Sequence, residues 1–332
     1  MTLPQLRPER IEELRYGAAS SLAMAAGVQL DLFTPLKDGP MTLEQMAGAL
    51  DVRAVKLRPL LYSLVVAGLL NVDGKLFANT PEAEHFLVKG SPAYMGGTIS
   101  DLPRRWSAML NTAESIRTGL PQAKLDFSEG SEEELERFLR AIQPGAMAHA
   151  RELVDRHDFS SCRTLADVGG GSGGLAMFIA EAYPQIRATV IDLPTVTPIA
   201  QRIVRESAAA DRISVSPADA VVGPIPGAYD VAVLRALIQV LSPDDVVPML
   251  RNVYAALNPG GVIHIIGQVV DDSRTSPVGA VEFSLLALNF FDEGQAFTEE
   301  DYARWLAEAG FEGFTRSPLS ADDSLITARK PA

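Results

Sequence analysis

The stretch RTLADVGGGSGG, residues 163–174, runs straight into GLAMFIAEAYP, residues 174–184, an apolar segment at helical spacing. A strand-length apolar run, a glycine-rich turn and a helix in immediate succession form the ligand-binding corner of an open α/β sheet. Gly169, Gly171 and Gly174 fit the G-x-G-x-x-G spacing, which alone suits a dinucleotide equally well. Asp167, ahead of the glycines, discriminates. A carboxylate there is poorly placed for a pyrophosphate entering the helix N-terminus and well placed for a cofactor that presents an ammonium group.

Further along, RATVIDL (187–193), RISVSP (212–217), YDVAVLRA (229–236) and GVIHIIGQVV (261–270) are apolar, β-branched runs of strand length, separated by helical stretches such as VVPMLRNVYAAL (246–257). This alternation predicts an α/β fold with a Rossmann-like, doubly wound, mostly parallel sheet that binds its ligands at the carboxyl ends of the strands. The second strand ends in Ile191-Asp192-Leu193-Pro194, where an acid can accept both hydroxyls of a ribose. The third is followed by Asp219-Ala220, where a carboxylate can take an adenine amino group. Each acid alone is more often a capping or surface residue; three at the ends of three successive strands make a site.

The N-terminal part has a different pattern. TLEQMAGA (42–49) and RAVKLRPLLYSLVVA (53–67) carry apolar residues at helical spacing, with Thr42 and Gln45 at capping-box positions and Gly68 as a stop. LLNVDGKLFANT (69–80) is a hairpin signal around Asp73-Gly74. Helix, helix, hairpin is the order of a winged helix. Arg53, Lys56, Arg58 and Lys75 are too few cations for DNA, whereas the apolar helical stretch over 9–36 would leave an exposed patch on a monomer. The expected organisation is a mainly α, winged-helix dimerisation domain over 1–95, linking helices over 96–157 that line a substrate pocket, and the cofactor-binding sheet domain over 158–332. Pro144-Gly145 is expected to interrupt the helical stretch 131–157 and start a new helix.

The 332 residues include 29 Lys+Arg and 42 Asp+Glu, a net charge of −13, and the pI is about 4.8. That balance argues against a nucleic-acid partner and against an anionic membrane surface. Cys162 has no partner for a disulfide, and the four histidines have no metal-ligand spacing, so no metal is expected. The first residues lack the apolar core of a signal peptide, and no apolar run approaches the roughly 18 residues that span a bilayer, so the expectation is a cytoplasmic protein.

Taken together, the motifs resemble those of the S-adenosylmethionine-dependent small-molecule O-methyltransferases of the caffeate and hydroxyindole type. DVGGGSGG is similar to the family's first motif, IDLP to its second, YDVAVLRALIQVLSPDD to its catalytic segment and ALNPGGVIHII to its fifth-strand motif; LAEAGF near the end also fits. The resemblance implies S-adenosylmethionine as cofactor and a winged-helix module that makes a homodimer. It also implies cofactor contacts at Gly169, Asp192, Asp219 and Arg235, alongside Asp167, Gly171, Leu193 and Ala220.

One departure matters. The family segment reads approximately L-K-x-x-L-H-D-W-S-D-E-D, and its His is the general base. Here the segment runs Leu234-Arg235-Ala236-Leu237-Ile238-Gln239, so Gln239 occupies the base position. An amide orients or donates but takes no proton at neutral pH. The acids that flank the His in the plant enzymes are also missing, one at Gly267-Gln268 and the other in Glu293-Gly294-Gln295-Ala296-Phe297. His264 lies too early and reads as a packed core residue.

Erasing the base while keeping the cofactor motifs fits an acceptor with no proton to lose. The leading expectation is therefore S-methylation of a thioether such as 4-methylthio-2-hydroxybutyrate, a step of dimethylsulfoniopropionate synthesis, by proximity and desolvation. The alternatives are O-methylation of an acidic hydroxyl, a cofactor-binding member that transfers no methyl, as in hydroxylase-like and pericyclase-like relatives, and a non-catalytic binding protein. A carboxylate-bearing acceptor needs cations and polar partners. Arg104, Arg105, Arg140, Gln143, His149 and Tyr94 on the linking segment are the candidates, with Gln239 opposite and Trp106, Phe290 or Phe291 closing the pocket.

Overall fold

The computed structural model describes residues 7–91, 93–125, 127, 131–320 and 322–332. They fall into two units, Met1–Ser107 and Ala108–Ala332.

The first unit begins with helices α1 (Glu9–Tyr16) and α2 (Ala18–Gln29), followed by strand β1 (Met41–Thr42), helices α3 (Leu43–Ala49) and α4 (Ala54–Val66), strands β2 (Leu70–Asp73) and β3 (Leu76–Asn79), and helices α5 (Pro81–Leu87) and α6 (Gly96–Ser100). The capping box forms as expected: the Gln45 amide donates to Thr42 Oγ1 at 3.2 Å and the Thr42 amide donates to Gln45 Oε1 at 2.8 Å. The strands make an antiparallel sheet in the order β1-β3-β2, with Asp73 opposite Leu76 across the tight turn. Leu32, Phe33, Met46, Leu61 and Leu64 are fully buried between the helices and this wing. The apolar stretch over 9–36 is two helices, with Ile11, Leu14 and Tyr16 of α1 exposed.

Helix α7 (Leu102–Met109) spans the division between the units; α8 (Thr112–Thr118) and α9 (Glu132–Arg156) belong to the second. The expected linker over 96–157 is therefore split. Its larger part joins the sheet domain because Leu135, Leu139, Ala150 and Leu153 of α9 enter the same core as one face of the sheet. Nor does Pro144 interrupt α9, which is continuous through it. A proline inside a helix costs about 3 kcal/mol, whereas each of the three leucines buried on either side contributes roughly 1.5–3 kcal/mol. Packing wins.

The sheet of the second unit comprises β4 (Thr164–Val168), β5 (Arg187–Asp192), β6 (Ile213–Pro217), β7 (Tyr229–Arg235), β8 (Leu257–Gln268), β9 (Glu312–Pro318) and β10 (Asp323–Arg329), in the order β6-β5-β4-β7-β8-β10-β9. The first five strands pair in parallel; β10 and β9 add on antiparallel. Helices α10 (Gly174–Ala182) and α11 (Thr197–Val204) cover one face with α9. Helices α12 (Pro243–Ala256) and α14 (Glu299–Ala309) cover the other, and α13 (Val278–Ala287) follows β8 in sequence. Because side chains alternate along a strand, Leu165, Val190, Val233, Ile266 and Leu325 face α9, whereas Ala166, Ile191, Leu234, Ile265 and Ile326 face α12. Among the described residues no helix is long and apolar enough to cross a membrane.

His264 lies on the α9 face of β8, 3% exposed, with Nδ1 2.9 Å from Thr327 Oγ1 and its ring 4.5 Å from that of His157. Burial, with the His157 and Arg329 charges adding to it, pushes its pKa down to about 3. The unfolded chain then binds a proton near pH 6.5 that the folded chain refuses, so this residue's stabilising contribution is complete above 6.5 and declines as pH falls toward 3. Asp167, described below, acts in the opposite sense in the same window, so the comparison must be with a variant. Urea midpoints of the wild type between pH 7.5 and 5 should therefore fall more, or rise less, than those of His264→Gln; identical pH slopes would contradict this assignment.

Candidate active site

The row of side chains on the α9 face at one end of the sheet is Asp192, Asp167, Arg235 and Gln268, at the carboxyl ends of β5, β4, β7 and β8, and Asp323, at the start of the antiparallel β10. Each lies two residues from a core residue of that face. Four of the five are ionisable groups that burial penalises, and the structure compensates each in a different way.

Asp167 is 1% exposed and accepts one hydrogen bond, from the Ala176 amide to Oδ2 at 3.2 Å. Burial raises its pKa to about 7 and the neighbouring Asp192 adds to the rise, against the Ala176 bond and the Arg235 charge. Asp192 Oδ2 accepts from the Gly171 amide at 2.8 Å and Oδ1 from the Leu193 amide at 2.7 Å. Its pKa is also raised by burial. Gly169 and Gly171 have φ of +65° and +55°, the left-handed region that a side chain would disfavour, and this conformation aims the Gly171 amide at Asp192. Leu193 is partly buried and packs on the α9-side core. Asp219 caps the turn after β6, its Oδ1 accepting from the Val221 amide at 2.9 Å; the Ala220 carbonyl accepts from Asn252 Nδ2 at 2.9 Å.

Arg235 is held from α9. Its Nε donates to His149 Nδ1 at 3.0 Å, so the ring proton sits on Nε2, which faces Asp323 Oδ2 at 3.2 Å. Burial lowers the Arg235 pKa, with the charges of Asp323 and Asp167 opposing. Asp323 was not among the expected site residues. It begins β10, a strand whose run DSLITAR (323–329) does carry the apolar, β-branched signal. Ala236, the next residue after Arg235, adopts a φ of +54° although it is not glycine. Such backbone costs on the order of 1–3 kcal/mol and persists where surrounding contacts demand it; here it turns the chain sharply between Arg235 and Gln239.

Gln239 lies in a 3-10 turn, Ile238–Val240, 7% exposed. Its Oε1 accepts from the backbone amide of Gln268 at 3.0 Å, which fixes the orientation of the amide. Nε2 has no acceptor among the described residues.

The candidate acceptor-binding residues scatter. Gln143 lies where α9 crosses the glycine loop, its Cγ 3.2 Å from the space a side chain at Gly174 would take. His149 is committed to Arg235 and Asp323. Arg140 is not available for a carboxylate ligand: Nη1 and Nη2 bind Glu206 at 3.1 and 2.8 Å and Nε binds Glu136 at 3.0 Å. It belongs to a surface ion-pair network that Arg202 completes. In the first unit, Arg104 and Arg105 share Asp101, at 2.7 and 3.0 Å, and the ring of Tyr94 lies against Gly96. Among the described residues no group of His, Cys, Asp and Glu is arranged to hold a metal.

A glycine loop, three strand-end acids and a buried cation at one end of a mostly parallel sheet are the arrangement expected of a class of cofactor-dependent transferases. Residues 117–312 match the O-methyltransferase domain and residues 12–89 the O-methyltransferase dimerisation domain, so the chain belongs to the O-methyltransferase family. It is 29% identical, over 98% of this chain and 97% of the other, to the tetracenomycin polyketide synthesis 8-O-methyl transferase TcmO of Streptomyces glaucescens. It is 30% identical, over 93% and 92% of the two chains, to the N,N-dimethyltransferase OxyT of Streptomyces rimosus. Its fold matches the crystal structure of human N-acetylserotonin methyltransferase in complex with SAM, with a TM-score of 0.86 and 25% identity over 100% of both chains.

If His149 and Asp323 hold Arg235, Asp323→Ala should leave the His149 Nε2–H without its acceptor and the buried arginine without a nearby counter-charge, and destabilise the fold by about 1–3 kcal/mol. Chemical denaturation measures this directly. A loss below about 0.5 kcal/mol, within the range of an ordinary surface substitution, would mean that the triad is incidental.

Proposed function

We propose that the protein is a homodimeric, S-adenosylmethionine-dependent methyltransferase whose acceptor is a small molecule with an oxygen that arrives already ionised. The observation that carries this reading is the fixed amide of Gln239, which offers a donor where a base would stand.

The residues present suit the cofactor. Asp167 is a buried carboxylate with a single hydrogen bond among the described residues and lone pairs left for an ammonium donor, and both oxygens of Asp192 have lone pairs left for ribose hydroxyls. Asp219, the glycine loop and Leu193 complete the nucleoside side, and Arg235 takes the carboxylate end. When bound, S-adenosylmethionine supplies a methyl group that an acceptor lone pair attacks, while the electrons of the broken carbon–sulfur bond stay on sulfur. The protein's own part is to hold donor and acceptor in line at about 3–3.5 Å and to exclude water. Gln239 then steadies the acceptor through Nε2.

That donor helps to choose among acceptors. An oxyanion has lone pairs to spare, one for the methyl group and one for Nε2–H. A neutral amine has one only, and hydrogen bonding would occupy it. A thioether sulfur is a weak acceptor of hydrogen bonds. The thioether reading, including 4-methylthio-2-hydroxybutyrate, accounts for the missing base equally well but has less support: Arg140 and Arg104 are engaged by acids, and the relatives described above are named for O- and N-methyl transfer. A dimer through the first unit is supported by the dimerisation-domain match and by the exposed apolar residues of α1.

Incubation with methyl-labelled S-adenosylmethionine and matched phenols, amines and thioethers tests the proposal. Label should appear on phenolic oxygen; label on sulfur alone would restore the thioether reading, and none on any acceptor would favour a binding role. Asp192→Ala should weaken S-adenosylhomocysteine binding at least tenfold by calorimetry. The pH dependence follows from Asp167: with a pKa of about 7, it is progressively protonated below that pH and loses its attraction for the ammonium, so affinity should fall by up to tenfold per pH unit below 7. Asp167→Asn should bind weakly with little pH dependence. Finally, Gln239→His should not raise turnover, because no acid stands beside it to orient the ring.

A further inference from the structure

The guanidinium of Arg235 carries N–H donors on three nitrogens, and the fold engages one of them. Nε donates to His149 Nδ1 at 3.0 Å, and His149 Nε2 faces Asp323 Oδ2 at 3.2 Å. Nη1 and Nη2 have no hydrogen-bond partner among the described residues and are not sealed from solvent. Gly145 on α9 permits the close approach, since a Cβ there would come within 3.1 Å of Nη2. With Nε engaged, the end of the guanidinium, its two Nη groups side by side, is the fork left for a planar anion. A lysine allows no such division, because its single ammonium would have to serve the histidine and the anion together.

A complementary group stands one strand away. Asp167 pairs in register with Val233, so Arg235 lies two residues further along the adjacent strand on the same face. At about 4.8 Å between strands and about 3.3 Å per residue, the two Cα atoms are about 8 Å apart. Among the described residues the Asp167 carboxylate accepts only from the Ala176 amide. A carboxylate and a guanidinium disposed in this way match an α-amino acid, whose ammonium and carboxylate meet at one carbon. Asp323 then does more than balance charge: by accepting from Nε2–H it keeps Nδ1 of His149 unprotonated and turned to Arg235.

We infer that His149 and Asp323 are positioning residues for the cofactor: they take up Nε of Arg235 so that its two Nη groups present a fixed, end-on fork to the cofactor's amino-acid carboxylate, and that carboxylate becomes a group by which the site recognises its cofactor. The inference rests on the reading above in which Arg235 takes the carboxylate end. Without His149 the guanidinium keeps its charge but loses its aim, so the cost falls on ligands that carry the carboxylate and spares those that lack it.

Calorimetry at about pH 8, where Asp167 is charged, with two probes separates recognition from folding: S-adenosylhomocysteine carries the amino-acid group and 5′-methylthioadenosine lacks it. The wild type should bind S-adenosylhomocysteine roughly 10–100-fold more tightly than 5′-methylthioadenosine, and in Arg235→Met the preference should shrink to within about threefold. His149→Leu should weaken S-adenosylhomocysteine binding roughly tenfold and leave 5′-methylthioadenosine binding within about twofold, a split that a merely structural role would not produce because both probes need the same nucleoside site. His149→Asn, whose Oδ1 can accept from Nε, should lose less of the preference than His149→Leu. Arg235→Lys, which keeps the charge and loses the division of donors, should resemble Arg235→Met more than the wild type. A wild-type preference in both His149 variants, or equal losses for the two probes in both, would overturn the positioning role, and the assignment of Arg235 to the carboxylate would survive if Arg235→Met has lost its preference. A preference unchanged in Arg235→Met, or absent from the wild type, would overturn that assignment and the inference with it.

Discussion

The structure depends on keeping one carboxylate out of water. Asp167 stands at the end of the central strand, in contact with no solvent and near a second acid. Charge in that position is tolerable only if a cation and fixed donors lie nearby and if a ligand can complete the set. Arg235 on the adjacent strand is that cation. It is itself buried, so it requires His149 from α9 and, through His149, Asp323 from β10. The compensation crosses three strands and one helix. It also accounts for the path of α9 past Pro144: at Gly145 a Cβ would come within 3.1 Å of the Arg235 guanidinium, so the helix passes where it can approach Arg235 most closely.

The reaction side follows a related logic. Removing a histidine base from such a site and leaving its acids would strand negative charge; in the proposed reading base and acids are absent together. An amide at 239 with its oxygen bound to the Gln268 backbone, and a glycine at 267 against that oxygen, make a neutral, closely packed arrangement. Its polarity is fixed by one backbone hydrogen bond rather than by titration. In the function proposed above, the acceptor's own ionisation replaces the enzyme's proton transfer, and catalysis rests on alignment and desolvation.

Much of this was legible in the sequence. The glycine loop, the acids after β5 and β6 and the Gln239 departure are local: each sits at a strand end that hydrophobic runs announce. The capping box and the hairpin at Asp73-Gly74 were legible for the same reason. What escaped is nonlocal. Pro144 reads as a break because local propensity cannot register leucines packing on both sides of it. Asp323 escaped because β10 pairs antiparallel beyond the parallel run, and β9, EGFTRSP, has little strand character of its own. Arg140 reads as a ligand for a carboxylate because Glu206, sixty-six residues away, is brought to it only by folding.

The central claim, that the chain supplies no base and the acceptor supplies its own ionisation, is tested most directly by the pH dependence of kcat/KM for two phenols of different acidity, measured above the pH at which Asp167 titrates. The account predicts a basic limb whose inflection moves with the acceptor, by as many pH units as the two phenol pKa values differ. An inflection at the same pH for both phenols would mean that a protein group takes the proton, and would contradict the account.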